Sequence, residues 1–294
     1  MALPIEKQKF AASFVADTQQ LSVRPLTDEE AAEVLQFLAE RPLHTVIMRG
    51  WIQEHGFASP SNRGTFYGCR DRQGALQGVA LIGHATLFET RSDAAICAFA
   101  ELARDCPSFN FVMSEEAKVK RFWDAFAEPG QQPRRICYDL LVEQSHPIEV
   151  SEPVGDLRTA VLADLELIVP AHAELVLEET GMDPLKTDPD GFRLRCARRI
   201  EQGRVWVLID QSKLIFKIDV VANTREIVYV EGVYVHPEKR GKGYGRRCML
   251  QLGGIFLESS KSVCGFVNEE HRAEQEFYTK IGYKLRSRYG KIFL

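Results

Sequence analysis

Apolar positions in the C-terminal half change their spacing in a definite succession. A short strand at Asp156–Ala160 comes first, and Leu165, Ile168, Val169, His172 and Val176 then recur on one helical face. A turn-rich stretch from Thr180 to Gly191 leads to a second helix around Phe192–Ile200. Three apolar runs follow, Val205–Ile209, Leu214–Val221 and Ile227–Val235, parted by the turn formers Asp210-Gln-Ser212 and Ala222-Asn-Thr224. This spacing predicts an antiparallel meander. A glycine-rich segment, a helix, a strand at Ser262–Val267, a helix ending near Tyr283 and a last strand complete the order.

The N-terminal half can be laid out on the same plan. Leu21–Pro25 predicts a strand, and Ala31, Val34, Leu35 and Leu38 repeat at helical spacing ahead of a second helix over Leu43–Glu54. Thr65–Arg70 and Leu76–His84 read as a hairpin around Asp71-Arg-Gln-Gly74. A helix near Asp93–Arg104, a strand Phe109–Met113, a helix Glu115–Phe126 and a strand Arg135–Val142 close this half. We expect two tandem α/β domains, residues 1–145 and 154–294, joined by a linker over Gln144–Pro153.

The chemistry concentrates at Val233-Tyr-Val-His-Pro-Glu-Lys-Arg-Gly-Lys-Gly-Tyr-Gly-Arg246. A β-branched strand runs through a proline turn into a basic loop whose glycines, Gly241, Gly243 and Gly245, alternate with other residues. Arg240, Lys242 and Arg246 add positive charge beside the free N–H groups of a helix start, which favours a phosphate-bearing ligand. A nucleotide P-loop would need a hydroxyl residue after Gly-Lys, and a dinucleotide fingerprint would need glycine where Arg246 stands. Arg-x-x-Gly-x-Gly behind a strand remains. Further on, the strand Ser262–Val267 ends in Asn268, and the next helix closes with Tyr278-Thr-Lys-Ile-Gly-Tyr283.

Those two motifs, in that order, resemble the GNAT superfamily of acyl-CoA-dependent N-acyltransferases. The resemblance implies two GNAT-like domains, each a mixed sheet flanked by helices, with the first copy degenerate. That copy has no Arg-x-x-Gly-x-Gly after Leu76–His84, where the chain reads Ala85-Thr-Leu-Phe-Glu-Thr-Arg91. Its expected role is structural, or as one wall of the acceptor cleft. The resemblance also implies acetyl-CoA as co-substrate, its pyrophosphate on the backbone N–H groups of Arg240, Gly241, Lys242, Gly243, Tyr244, Gly245 and Arg246. The pantetheine arm would lie along Val233, Tyr234 and Val235, where a strand N–H faces the thioester oxygen. Tyr278 matches the family tyrosine that protonates the departing thiolate. Asn268 fits both a cofactor contact and a cap for a helix beginning at Glu269, and His271 stands where a second family Asn often occurs.

Glu231 is the candidate base. Strand alternation places it on the face of Val233 and Val235, and a carboxylate there would bind and deprotonate an amine; its other reading is a solvated strand charge. Glu178 and Glu179 are candidates for acceptor recognition, and Arg193, Arg195, Arg198 and Arg199 read as a solvated helix face. The expected reaction is acetyl transfer to a primary amine, on a small molecule or a protein, by direct attack. The alternative is a CoA-binding sensor or scaffold without turnover.

Composition narrows the setting. A net charge of −4 argues against nucleic acid as main partner. Seven scattered cysteines with no Cys-x-x-Cys give neither a zinc site nor a disulfide frame, so no metal is expected. No apolar run is long enough to span a bilayer, and the N-terminus, Met1–Lys9, has no basic-then-apolar secretion signal. A cytoplasmic enzyme is expected, of undetermined oligomeric state.

Overall fold

The computed structural model describes residues 21–294; the Met1–Lys9 segment discussed above lies outside them. The chain divides into two compact units. The first holds residues up to Leu140 together with Asn268–Glu270 and Ser287–Leu294, and the second holds Leu141–Val267 and His271–Arg286.

The first unit contains strands β1 (Ser22–Pro25), β2 (Gly64–Arg70), β3 (Leu76–Gly83), β4 (Ala85–Thr90) and β5 (Phe111–Glu115). Its helices are α1 (Ala31–Ala39), α2 (Pro42–His55), α3 (Asp93–Arg104) and α4 (Glu116–Phe126), and strand β6 (Arg135–Gln144) begins in it. β1 to β4 pair antiparallel in sequence order, and β4 pairs parallel with β5. Alternation along β3 builds a core on each face. Val79 and Leu81 pack with Val34, Phe37 and Leu38 of α1 and Met48 and Ile52 of α2. Ala80 and Ile82 join Ile96 and Phe99 of α3 and Phe122 of α4. Each large apolar side chain so buried contributes about 1.5–3 kcal/mol.

The second unit contains β7 (Arg158–Thr159), α5 (Leu165–Thr180), the short α6 (Pro184–Thr187), α7 (Pro189–Glu201), β8 (Val205–Asp210), β9 (Lys213–Asn223) and β10 (Ile227–Val235). After these come α8 (Tyr244–Leu257), β11 (Ser262–Asn268), α9 (Arg272–Lys280) and β12 (Lys284–Phe293). β7 to β10 pair antiparallel, and β10 pairs parallel with β11. Ile168 and Ala171 of α5 and Ile200 of α7 pack with Val205, Val207, Leu214 and Tyr234. Trp206 points the other way, edge-on to Phe256 of α8. Helices therefore cover both faces.

Four details differ from the sequence reading. Ala85–Thr90 is a strand, so the first meander has three strands, and the counterpart of β10 is β4, not Leu76–His84. Six residues between Gly83-His84 and Arg91 were too short a run to register beside the stronger β3 pattern. Gln144 is no linker residue: it ends β6, is 1% exposed, and donates from Nε2 to the Ile281 carbonyl at 3.0 Å. The helix after β11 begins at Arg272, not Glu269, because the Asn268 side chain turns the chain first. Lastly, β12 starts in the second unit and finishes in the first, where Tyr289–Phe293 pair antiparallel with Phe111–Glu115 of β5.

Candidate active site

The site is built on a fault in β10. Glu231 lies opposite Asp219 and Tyr234 opposite Lys217, so three steps along β10 span two along β9. This is a β-bulge. Gly232 sits in it with φ +62°, a conformation that an L side chain resists. The parallel ladder to β11 runs only from Ile227–Ser262 to Tyr229–Cys264. Beyond Tyr229, β10 has no partner in that ladder.

The bulge corrects the face assigned to Glu231. One extra residue reverses the alternation, so Glu231 shares its face with Tyr234, Lys217 and Asp219, and not with Val233 and Val235. Tyr234 is buried in the core under α5. Val235 faces α8: a Cβ added to Gly245 would lie 3.1 Å from Val235 and 3.8 Å from the Phe277 ring. That contact brings the end of β10, the start of α8 and the end of α9 together.

After β10 the chain makes a single 3-10 turn at Pro237–Lys239 and enters the glycine loop. Gly241 and Gly243 have φ +72° and +81°, and Gly243 caps α8. Arg240 and Lys242 donate their backbone N–H groups within the turn, at 3.2 and 3.4 Å, to Pro237 and Lys239. Among the described residues no backbone carbonyl outside the helix accepts from the N–H groups of Gly241, Gly243, Tyr244, Gly245 and Arg246. The loop is thus a set of open donors at a helix start, with the partial positive charge that attracts phosphate. Arg240 does not point freely outward: its Nε donates to the Val235 carbonyl at 3.0 Å. Tyr244 lies between Arg247 and Lys239, which sit 4.9 and 5.5 Å from its ring centre.

Tyr278 is 8% exposed, with Phe277 and Tyr283 edge-on at 5.5 and 5.1 Å. Burial raises its phenol well above the ordinary value, so it keeps its proton. Asn268 is the last residue of β11, and its Oδ1 accepts from the Glu270 N–H at 2.8 Å. His271, not Asn268, caps α9, and its Nδ1 lies 3.5 Å from Glu274.

The structure adds a polar cluster that sequence reasoning missed. Arg199 leaves the solvated face assigned to it: Nη1 lies 3.0 Å from Asp219 and 3.3 Å from Glu231. Its neighbours Arg193 and Arg195 do pair at the surface, with Glu166 and Asp188. Asp219 also binds Lys217 at 2.7 Å, and Lys217 lies 3.2 Å from His172 Nδ1. His172 stacks on Phe192 at 5.3 Å, and burial with the Lys217 charge pushes it down to about 3, so it is neutral. Burial alone would raise Asp219, but the Lys217 and Arg199 charges outweigh it and hold its carboxyl low. Burial raises Glu231, against the pull of Arg199 and with help from Asp219 and Glu179. The one signal in the sequence was a Lys and an Asp two apart inside the apolar run Leu214–Val221.

The first unit has its own charged cluster at the corresponding place. β4 and β5 pair from Ala85–Phe111 to Leu87–Met113. Just beyond, Arg41 bridges Glu89 at 3.1 Å and Glu115 at 2.7 Å, and Lys118 adds a 2.5 Å contact to Glu89. Burial would raise Glu115, but Arg41 and its neighbours hold it down at about 2. Where the strands of this unit part, ion pairs fill the gap.

Residues 201–285 match the model of the acetyltransferase (GNAT) domain. Solved structures share the fold over nearly the whole chain. A tandem GNAT protein from the clavulanic acid biosynthesis pathway is 16% identical, with 94% of this chain and 98% of that one covered at a TM-score of 0.60. A Drosophila protein is 13% identical, covering 92% and 98% at 0.65. A GNAT-family acetyltransferase from Colwellia psychrerythraea is 12% identical, covering 93% and 99% at 0.57. No curated protein matches the chain in sequence. At these identities the structural likeness is one of fold. Residues 201–285 thus match the GNAT acetyltransferase domain in sequence, and the chain as a whole shares the fold of a solved tandem GNAT protein.

Proposed function

We propose that the second unit is an acyl-CoA-dependent N-acyltransferase that moves an acetyl group to a primary amine. The observation that carries this reading is the pairing of two features on one strand. β10 parts from β11 after Tyr229 and then runs into a loop of open N–H donors. A pyrophosphate suits the donors at Gly241–Arg246, and a pantetheine amide chain suits the unpaired edge of Val233, Tyr234 and Val235. With no atom within 4 Å of a Cβ at Gly241 or Gly243, the loop leaves space for a ligand to approach.

The residues then divide the work. A strand N–H in the bulge region faces the thioester oxygen as it gains charge, and one such donor is typically worth about 10²–10³ in rate. Glu231, raised above the ordinary carboxylate value by burial, accepts the amine proton directly or through water as the nitrogen attacks the carbonyl carbon. Tyr278 gives its proton to the sulfur as the C–S bond breaks. Asn268 spends its side chain on the turn into α9, which favours its structural role over cofactor contact. The acceptor is a small-molecule or protein amine, nucleic acid is no part of the reaction, and the setting is cytoplasmic.

Calorimetric titration with acetyl-CoA, followed by a thiol-release screen over amine panels, tests the reading. One-site binding with thiol release on an amine is expected. Absence of CoA binding by the folded chain would overturn it, whereas binding without turnover on any amine would leave a CoA sensor.

A further inference from the structure

A strand interior is a costly place for charge, yet Lys217 and Asp219 sit there together, their side chains 1% and 2% exposed and 2.7 Å apart. Desolvating two ions costs several kcal/mol each, and exchanging such a pair for apolar side chains of similar volume is often neutral or stabilising. Fold stability is therefore a poor explanation for keeping them. What they touch is a better one. Lys217 Nζ lies 3.5 Å from the carbonyl oxygen of Gly232, and a Cβ on Gly232 would come within 3.1 Å of that nitrogen. The bulge rests directly on the buried ammonium.

We propose that Lys217, held by Asp219 and by His172 Nδ1, is a positioning residue that aims and polarises the Gly232–Val233 peptide, making the Val233 N–H the donor to the thioester oxygen. This rests on the acyl-CoA reading above. The Gly232 carbonyl and the Val233 N–H belong to one trans peptide group, so they point in opposite directions. Fixing the oxygen toward Lys217 fixes the N–H away from it. Neither residue has a partner in the β9 ladder, so the peptide is not held by the sheet. At 3.5 Å the contact is a charge–dipole attraction more than a tight hydrogen bond, and it strengthens in a site of low dielectric. A positive charge at the carbonyl draws density from the amide nitrogen and makes its hydrogen a better donor. His172 is neutral and presents Nδ1 as an acceptor, so it holds the ammonium without adding a second cation.

The test reads the thioester itself and needs no acceptor. Full-length protein is titrated with acetyl-CoA labelled at the acetyl carbonyl carbon, and the isotope-edited infrared difference spectrum gives the bound carbonyl stretch. The parent should shift this band to lower wavenumber than free acetyl-CoA. Lys217→Met should bind with affinity within about threefold of the parent yet lose half or more of the shift, because the side chain does not touch the binding loop. Lys217→Arg should restore most of it. Since Lys217→Met leaves Asp219 short of a partner, the double variant Lys217→Met/Asp219→Leu is measured alongside, with thermal unfolding as the check on folding. An unchanged shift in either folded, acetyl-CoA-bound variant overturns the positioning role, and so does a parent complex with no shift. Unfolding of both variants would make the pair structural and likewise overturns it. A parent that binds no CoA at all overturns the acyl-CoA reading instead.

Discussion

Replacing Gly243 with Ala separates the conformation of the loop from the space around it. Gly243 has φ +81°, and a Cβ there would meet no atom within 4 Å. The substitution therefore adds backbone strain and no clash. For an L residue in the left-handed region that strain is about 1–2 kcal/mol. Without ligand the loop can leave this conformation and shed most of the strain, so the unfolding temperature should hardly move. With a pyrophosphate bound, the open donors from Gly241 to Arg246 must converge and the strain falls on binding. At about 1.4 kcal/mol per factor of ten, CoA affinity should drop about five- to thirtyfold. Gly243→Val should do worse, because a β-branched side chain tolerates φ above zero least. Calorimetry with CoA and with S-acetyl-pantetheine, which lacks the pyrophosphate, reads the effect. Pantetheine affinity should be the same in parent and variant, and Gly254→Ala, a helix position whose Cβ also meets nothing within 4 Å, should change neither. A folded Gly243→Val protein that binds CoA as tightly as the parent would refute the reasoning.

Tyr278→Phe keeps the ring packed against Phe277 and Tyr283 and removes only the hydroxyl, so turnover should fall about 10²–10⁴-fold with CoA affinity nearly unchanged. Equal turnover, with chemistry shown to be rate-limiting, would remove Tyr278 from the mechanism. Glu231 has its pKa raised, so the carboxylate is lost on going down in pH through a value above the ordinary 4.5. The kcat/KM profile should show an acid limb above that value, and Glu231→Gln should abolish it; a surviving limb would assign it to another group. CoA should bind once per chain, because Arg41, Glu89, Glu115 and Lys118 fill the corresponding gap of the first unit. Two sites by calorimetry would contradict this. Glu115, held at about 2 in the folded state, contributes stability that is present above the ordinary 4.5 and lost as pH falls toward about 2. Arg41→Ala should therefore flatten the acid side of the stability curve of the first unit, as followed by chemical denaturation between those pH values.

The glycine loop was legible because its chemistry is backbone chemistry. Gly241 and Gly243 occupy left-handed positions, and few residue types other than glycine occupy such positions easily. The helices were legible from their periods, with starts expected at Leu43 and near Phe192 lying within a few residues of those observed at Pro42 and Pro189. The face of Glu231 was not, because a single extra residue at Gly232 reverses alternation and leaves no mark in the hydrophobic pattern. The polar cluster was illegible for another reason: His172, Arg199 and the Lys217–Asp219 pair come from three elements and meet only through tertiary packing. Asn268 shows the same limit locally, since a good capping residue served a turn three residues upstream of the observed cap.

The finish of β12 in the first unit has a consequence for how the chain is made. Ser287 reaches Glu115 across 172 positions, which at roughly 5–20 residues per second is about ten to thirty seconds of synthesis. During that interval the nascent first unit lacks the strand that pairs with Phe111–Glu115, and exposes unpaired backbone beside apolar side chains. Ser287–Leu294 must emerge from the ribosome before β5 gains this partner, so the first unit cannot finish folding in vectorial order. A chain arrested before Ser287 would hold a complete glycine loop and an incomplete first unit.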